Sequence, residues 1–163
     1  MLDIEILKLE ENGGPGVARQ YGIEHTENEF ITFIDADDIF ATGFAISTMR
    51  EGVLENPLYQ IAISSFEEIV SEQDSFSIPH ENDLTWMFGK MYRRVFIEKH
   101  NICFHPTSRA NEDAGFNGLC SLYVNCSNGT ELINYSPVVT YLWCEDKNSI
   151  TRKNNFEYGY SGE

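Results

Sequence analysis

"FITFIDADDIF", residues 30–40, sets a continuous apolar run directly before three aspartates, Asp35, Asp37 and Asp38. An unbroken apolar stretch of this length predicts a strand over 29–35 that is covered on both faces. If the strand continues, Asp35 and Asp37 share a face and Asp38 turns away. Carboxylates this close repel one another, and a proton or a cation relieves the repulsion. Mg²⁺ and Mn²⁺ take oxygen ligands and often use only one or two carboxylates, with phosphates and water completing the shell. Aspartate is equally common in the polar turns that follow strands, so a metal site and an ordinary turn both stay open at this point. A calcium loop starting at Asp35 is excluded, because Phe40 and Ile46 would fall at its sixth and twelfth positions, where glycine and glutamate belong. The nucleophile of an aspartyl phosphatase is another use for D-x-D at a strand end. The downstream lysine and acidic pair of such a site find no clear match in the chain.

The 163 residues are enough for one domain with a single core. A hydrophobic share of 42% and an aromatic share of 13% place the chain among globular proteins. A formal charge of −15 argues against binding nucleic acid or an anionic membrane through a basic patch. A phosphate-bearing substrate would need a cation or a few focused arginines to offset that field. No charged-then-apolar leader and no bilayer-length apolar run are seen, so the expected location is cytoplasmic. Cys103, Cys120, Cys126 and Cys144 lack metal-ligand spacing and read as mostly buried thiols of a reducing compartment.

Working outward, alternation over 4–11 predicts a strand with one exposed face, and "NGGPG" (12–16) predicts a turn leading into a helix over 17–26. Further helices are expected over 43–56, 87–101 and 112–125, and strands over 59–70 and 131–143, the latter interrupted by Pro137. The strand at 59–70 can continue into a hairpin, and the polar segment 71–84 reads as a loop. Strands alternating with helices imply an α/β domain with a largely parallel or mixed sheet. Ligands of such sheets lie outside the carboxyl ends of the strands, where the three aspartates fall.

Two more segments carry chemistry. In "NGGPGVARQYG" (12–22) glycines allow close backbone approach, the following helix offers free N–H groups, and Arg19 can fork onto a phosphate. A plain structural turn is the commoner meaning of such a run. In "NEDAGF" (111–116), Asp113 stands three residues before Phe116, which opens an apolar stripe with Leu119, Cys120 and Tyr123. A carboxylate there can serve as a general base with a raised pKa, or simply as a first-turn acid favoured by the helix dipole.

Taken together, the run Asn12–Arg19, "FIDADD" (33–38), "KMYRRVFIEKHNICF" (90–104), "NEDAGF" (111–116) and "NSITR" (148–152) resemble the family-2 glycosyltransferases in order and spacing. The resemblance implies the GT-A fold of nucleotide-diphospho-sugar transferases, a mixed and mainly parallel sheet flanked by helices. It implies transfer of a sugar, most naturally from a UDP-sugar, to the hydroxyl of a glycan, lipid or other acceptor. The reaction would be metal-dependent, with Mn²⁺ or Mg²⁺, and inverting. By the same resemblance Asp37 is the metal ligand, while Arg19, Asp35, Asp38, Ser149 and Arg152 serve the nucleotide sugar. Asp113 is the catalytic base, and Glu112 and Trp86 contact the acceptor or support the site. His80 and the 71–84 loop are further acceptor-side candidates, and His105 an additional metal candidate.

Family members begin with a strand–helix–strand unit carrying the nucleobase site, and this chain starts at what corresponds to the third strand. A single domain over 1–163 is therefore expected, N-terminally truncated, with 1–70 as the rest of the nucleotide and metal half and 71–163 as the acceptor half. The open edges call for a second copy or another chain. The alternative function is a catalytically incompetent fragment acting as an oligomeric or binding module, with the phosphatase a more distant rival.

Overall fold

The computed structural model describes residues 4–71, 76–108, 111–126 and 131–144. Four helices, α1 (Pro15–Glu24), α2 (Ala45–Leu54), α3 (Arg94–Lys99) and α4 (Glu112–Asn125), accompany six strands. The strands are β1 (Phe30–Thr32), β2 (Ile39–Phe40), β3 (Ile61–Ser71), β4 (Phe76–His80), β5 (Lys90–Arg93) and β6 (Ile133–Cys144). They form one sheet in the order β1-β5-β3-β6-β2, with β4 pairing β3 outside that path.

Period-2 alternation along the central strands distributes the core over both faces. Ile61, Ile63 and Tyr92 pack with Phe96, Ile97, Phe104 and Phe116, beneath α3 and α4. Ala62 and Met91 point the other way and meet Met49 and Val53 of α2. A third, aromatic cluster of Phe66, Phe88 and Tyr141 is flanked by Phe40, Trp86 and Trp143. A helix-covered α/β sheet is thus the architecture expected.

Strand direction corrects one part of the expectation. Among the described pairings only β3–β6 is parallel, whereas β1–β5, β2–β6, β3–β4 and β3–β5 are antiparallel. The described sheet is mixed but mainly antiparallel, because β5 inserts between β1 and β3 against the direction of both. The sequence pattern places "KMYR" (90–93) in a helix. In the sheet Lys90, Met91 and Tyr92 are all buried, and interstrand pairing on both sides overrides helical propensity.

Three further differences follow from partners that local patterns do not reveal. The 71–84 segment, read as a loop, contains β4 (FSIPH), which among the described residues pairs only with β3. Residues 4–11, read as a strand, are not one among the described residues, and Ile4 and Ile6 are 77% and 89% exposed. An alternating segment becomes a strand only where a neighbour supplies its hydrogen bonds. β1, read as covered on both faces, buries only Ile31 fully and lies at the end of the sheet order. The break expected at Pro137 is real. The β3–β6 register jumps from Ser64↔Ser136 to Ser65↔Val139, because Pro137 cannot donate to the ladder.

Candidate functional site

The site grows from the turn that ends "FITFID". The Asp38 N–H donates to the Asp35 carbonyl at 3.1 Å, closing a four-residue turn over 35–38. The three carboxylates then diverge. Asp37 is exposed, Asp35 is half-buried and Asp38 is only 7% exposed. The Asp38 carboxylate accepts from the Tyr141 hydroxyl at 2.6 Å and from the Cys144 N–H at 2.8 Å. Burial pushes its pKa up, partly offset by those two bonds and reinforced by Asp37 and Asp35. Asp38 therefore ties the turn to β6.

Arg19 arrives from α1. Gly14 takes a positive φ of 85° and Pro15 starts the helix, so the chain turns sharply out of "NGG". A Cβ on Gly16 would lie 3.1 Å from the Cβ and Cγ of Glu112, so glycine lets α1 approach the start of α4. From that position Arg19 donates through Nη2 to Asp35 Oδ1 and through Nη1 to Glu112 Oε1, both at 2.6 Å. The guanidinium pKa is raised by these two carboxylates despite its burial.

Asp113, next to Glu112, is 8% exposed and accepts from the Ala114 N–H at 2.8 Å. Burial raises its pKa, and the neighbouring Glu112 adds to the rise, while the Ala114 N–H and Arg19 oppose it. A buried carboxylate with raised proton affinity is suited to take a proton.

Arg19, Asp35 and Glu112 thus form one linked group, with Asp37 two residues from one end and Asp113 adjacent to the other. Trp86 lies elsewhere, in the aromatic cluster, with ring centroids 6.2 Å from Phe88 and 6.0 Å from Trp143. Its carbonyl accepts from Asn117 of α4 at 3.0 Å, which connects the segment to the helix that carries Asp113. His80 stacks on Phe66 at 4.4 Å, and His105 meets Thr107 at 3.0 Å in an exposed segment, so neither joins the group. Ser149 and Arg152 lie outside the described residues. Cys120 is buried, but Cys103 and Cys126 are exposed, against the expectation of mostly buried thiols.

Among the described residues, no three His, Cys, Asp or Glu side chains converge to hold a metal by themselves. The carboxylate oxygens on offer at the turn are those of the exposed Asp37 and the Asp35 oxygen that Arg19 leaves unengaged. That fits a hard cation completing its shell with substrate phosphate and water, and does not fit an all-protein cage. Sequence reasoning missed Tyr141, Lys90 and Asn117. Nothing in strand or helix periodicity marks a side chain whose partner is distant in the chain, as for Tyr141 and Asn117, or a lysine whose ammonium folds back onto its own segment, as for Lys90.

The profile of glycosyl transferase family 2 matches residues 2–111. The chain belongs to that family. EpsH and EpsJ of Bacillus subtilis (strain 168), both carrying glycosyltransferase names and the second called uncharacterised, are similar to it. EpsH is 31% identical over 111 residues, 58% of this chain and 32% of its own length. EpsJ is 24% identical over 161 residues, 86% of this chain and 44% of its own. The chain therefore spans less than half the length of these relatives. Among solved structures, S. aureus TarS 1–349 in complex with UDP-GlcNAc superposes with a TM-score of 0.70 at 19% identity, covering 89% of this chain and 43% of TarS 1–349. The UDP complex of the same protein gives 0.64 at 20% identity, covering 85% and 43%. This likeness establishes the GT-A fold. No helix among the described residues is long and apolar enough to cross a membrane.

Proposed function

We propose that this chain holds the cation-binding and proton-accepting part of a glycosyltransferase that moves a sugar from a nucleoside-diphosphate sugar to an acceptor hydroxyl, with inversion. The observation that carries it is Arg19, which joins the Asp35 turn to Glu112 beside Asp113 through two bonds of 2.6 Å. Family membership supports the reaction class, and the fold shared with TarS, a protein solved in complex with UDP-GlcNAc, supports a UDP-sugar donor.

In this reading Asp37, with Asp35, would hold Mn²⁺ or Mg²⁺ for the donor diphosphate. When bound, the ion supplies positive charge for the departing nucleoside diphosphate. A chain of charge −15 needs that offset to accept an anionic donor. Arg19 holds Asp35 in place and ties it to Glu112. Asp113 accepts the proton of the acceptor hydroxyl as its oxygen attacks the anomeric carbon. Ser149 and Arg152 remain proposed donor contacts, and Glu112 and Trp86 support the site, Glu112 through Arg19. The phosphatase alternative is not carried forward, since Asp35 Oδ1 is engaged by Arg19 and the chain belongs to a transferase family.

A module that binds nucleotide without transfer is a second reading, favoured by β1, which pairs only with β5 among the described residues. Calorimetry of UDP binding with and without Mn²⁺, followed by a transfer assay, separates the two. The transferase reading expects metal-dependent heat that Asp37→Ala reduces by about tenfold or more in affinity. Metal-dependent binding without transfer would leave the binding module, and no UDP binding by a folded chain would sink both.

A further inference from the structure

The turn presenting Asp37 is clamped at both ends by one hydroxyl. Tyr141 Oη accepts from the Asp35 N–H at 3.2 Å and donates to Asp38 Oδ2 at 2.6 Å. The other oxygen of Asp38 accepts from the Cys144 N–H at 2.8 Å, so each oxygen of this carboxylate is committed to the protein. Tyr141 is 1% exposed, and its ring is held between Phe88 at 4.8 Å and Phe40 at 6.3 Å. The chain leaving the turn enters β2, where Phe40 pairs with Tyr141 itself.

We propose that Tyr141 is a positioning residue, its hydroxyl holding the 35–38 turn in the one shape that turns Asp38 inward and leaves Asp37 outward for a divalent cation. Three outward carboxylates so close together would repel one another. Satisfying Asp38 with two protein donors removes it from the cluster and fixes which acid faces the ligand. The ring packs without the hydroxyl, so phenylalanine would keep the aromatic contacts and lose only the clamp. It would leave the Asp35 N–H without its partner and a buried Asp38 oxygen without a donor, which loosens the turn. The inference rests on the donor-and-cation reading above only for what Asp37 binds, not for the clamp.

The test compares Tyr141→Phe with the unchanged chain in two measurements. Amide hydrogen exchange should show protection at Asp38 falling by about tenfold while β3 and β5 keep theirs. UDP calorimetry should show the affinity gained on adding Mn²⁺ shrinking by about tenfold, with metal-free UDP affinity unchanged. Unchanged Asp38 protection, or a uniform loss across β3 and β5, overturns the clamp. A loosened turn with an undiminished metal gain overturns the positioning role. If the unchanged chain shows no Mn²⁺-dependent UDP binding, the donor reading fails, and the exchange result alone then decides on the clamp. Should Tyr141→Phe fail to fold, Asp38→Asn takes its place, with the same two losses expected and smaller in size, and unchanged values overturning the proposal.

Discussion

Arg19 Nη1 donates to Glu112 Oε1 at 2.6 Å, joining residues 93 positions apart in the chain. The side chains are 13% and 9% exposed, so water does little to screen the pair. Because the other arm of the guanidinium holds Asp35, one cation sets the distance between the aspartate turn and the start of α4.

Arg19→Ala would strand a buried carboxylate at Glu112. The expected loss is about 3 kcal/mol of unfolding free energy in urea. Arg19→Lys keeps the charge but cannot serve both acceptors with a planar fork, so it should lose less. A loss below about 0.5 kcal/mol for the alanine variant would mean that the pair behaves like an exposed one.

Asp113→Asn should lower transfer by about 100-fold or more while UDP binding persists. Its effect on stability has the opposite sign. The folded-state pKa of Asp113 is raised above its unfolded value, so the folded chain holds this proton more tightly. That contribution is present below the unfolded pKa and is lost as pH rises through the folded one. Removing the charge should therefore make the chain more stable than the parent at pH 7, a gain bought by losing the base. Thermal unfolding of both chains at pH 7 checks it, and equal midpoints would contradict the burial argument.

Lys90 is 1% exposed, with Asp83 at 3.5 Å and the carbonyls of Trp86 and Phe88 around its ammonium. Burial brings its pKa down to about 8, against the pull of Asp83. Here the folded value lies below the unfolded one, so above pH 8 the unfolded chain binds more protons and stability rises with pH. Cys120, pushed up to about 12, acts in the opposite direction once pH exceeds the ordinary thiol value of 9.0. Between pH 8 and 9 the parent should gain stability relative to Lys90→Met. Parallel pH dependences for the two chains in that window would show that Lys90 is not buried as a cation.

Gly89→Ala tests the tight start of β5. Gly89 has φ of +61°, and a Cβ there would meet the Ser64 carbonyl oxygen at 2.8 Å. Left-handed backbone and a backbone clash together should cost about 2 kcal/mol or more in chemical denaturation. A variant as stable as the parent would show that the β3–β5 contact relaxes freely.

Much of the frame was legible locally. α4 matches the predicted 112–125 bounds because a helix satisfies its own backbone, although of the expected stripe Leu119 is exposed and Asn117 is buried instead. α1 and α2 lie within about a turn of the expected bounds for the same reason. The strands were harder. β5 hid inside a helical pattern and β4 inside a polar segment, since a strand is stabilised by neighbours that its own residues do not name.

The amino-acid order by itself determined which chemistry was available: three carboxylates after an apolar strand, an arginine one helical turn past a glycine-rich bend, and a buried-face acid opening α4. Tertiary structure alone decided how the three aspartates divide their roles. A carboxylate leaves water only where donors replace its hydration, and for Asp38 those donors are Tyr141 and Cys144, more than 100 positions downstream. No local pattern carries that information, so strand periodicity could turn Asp38 away from its neighbours but could not show what it turned toward.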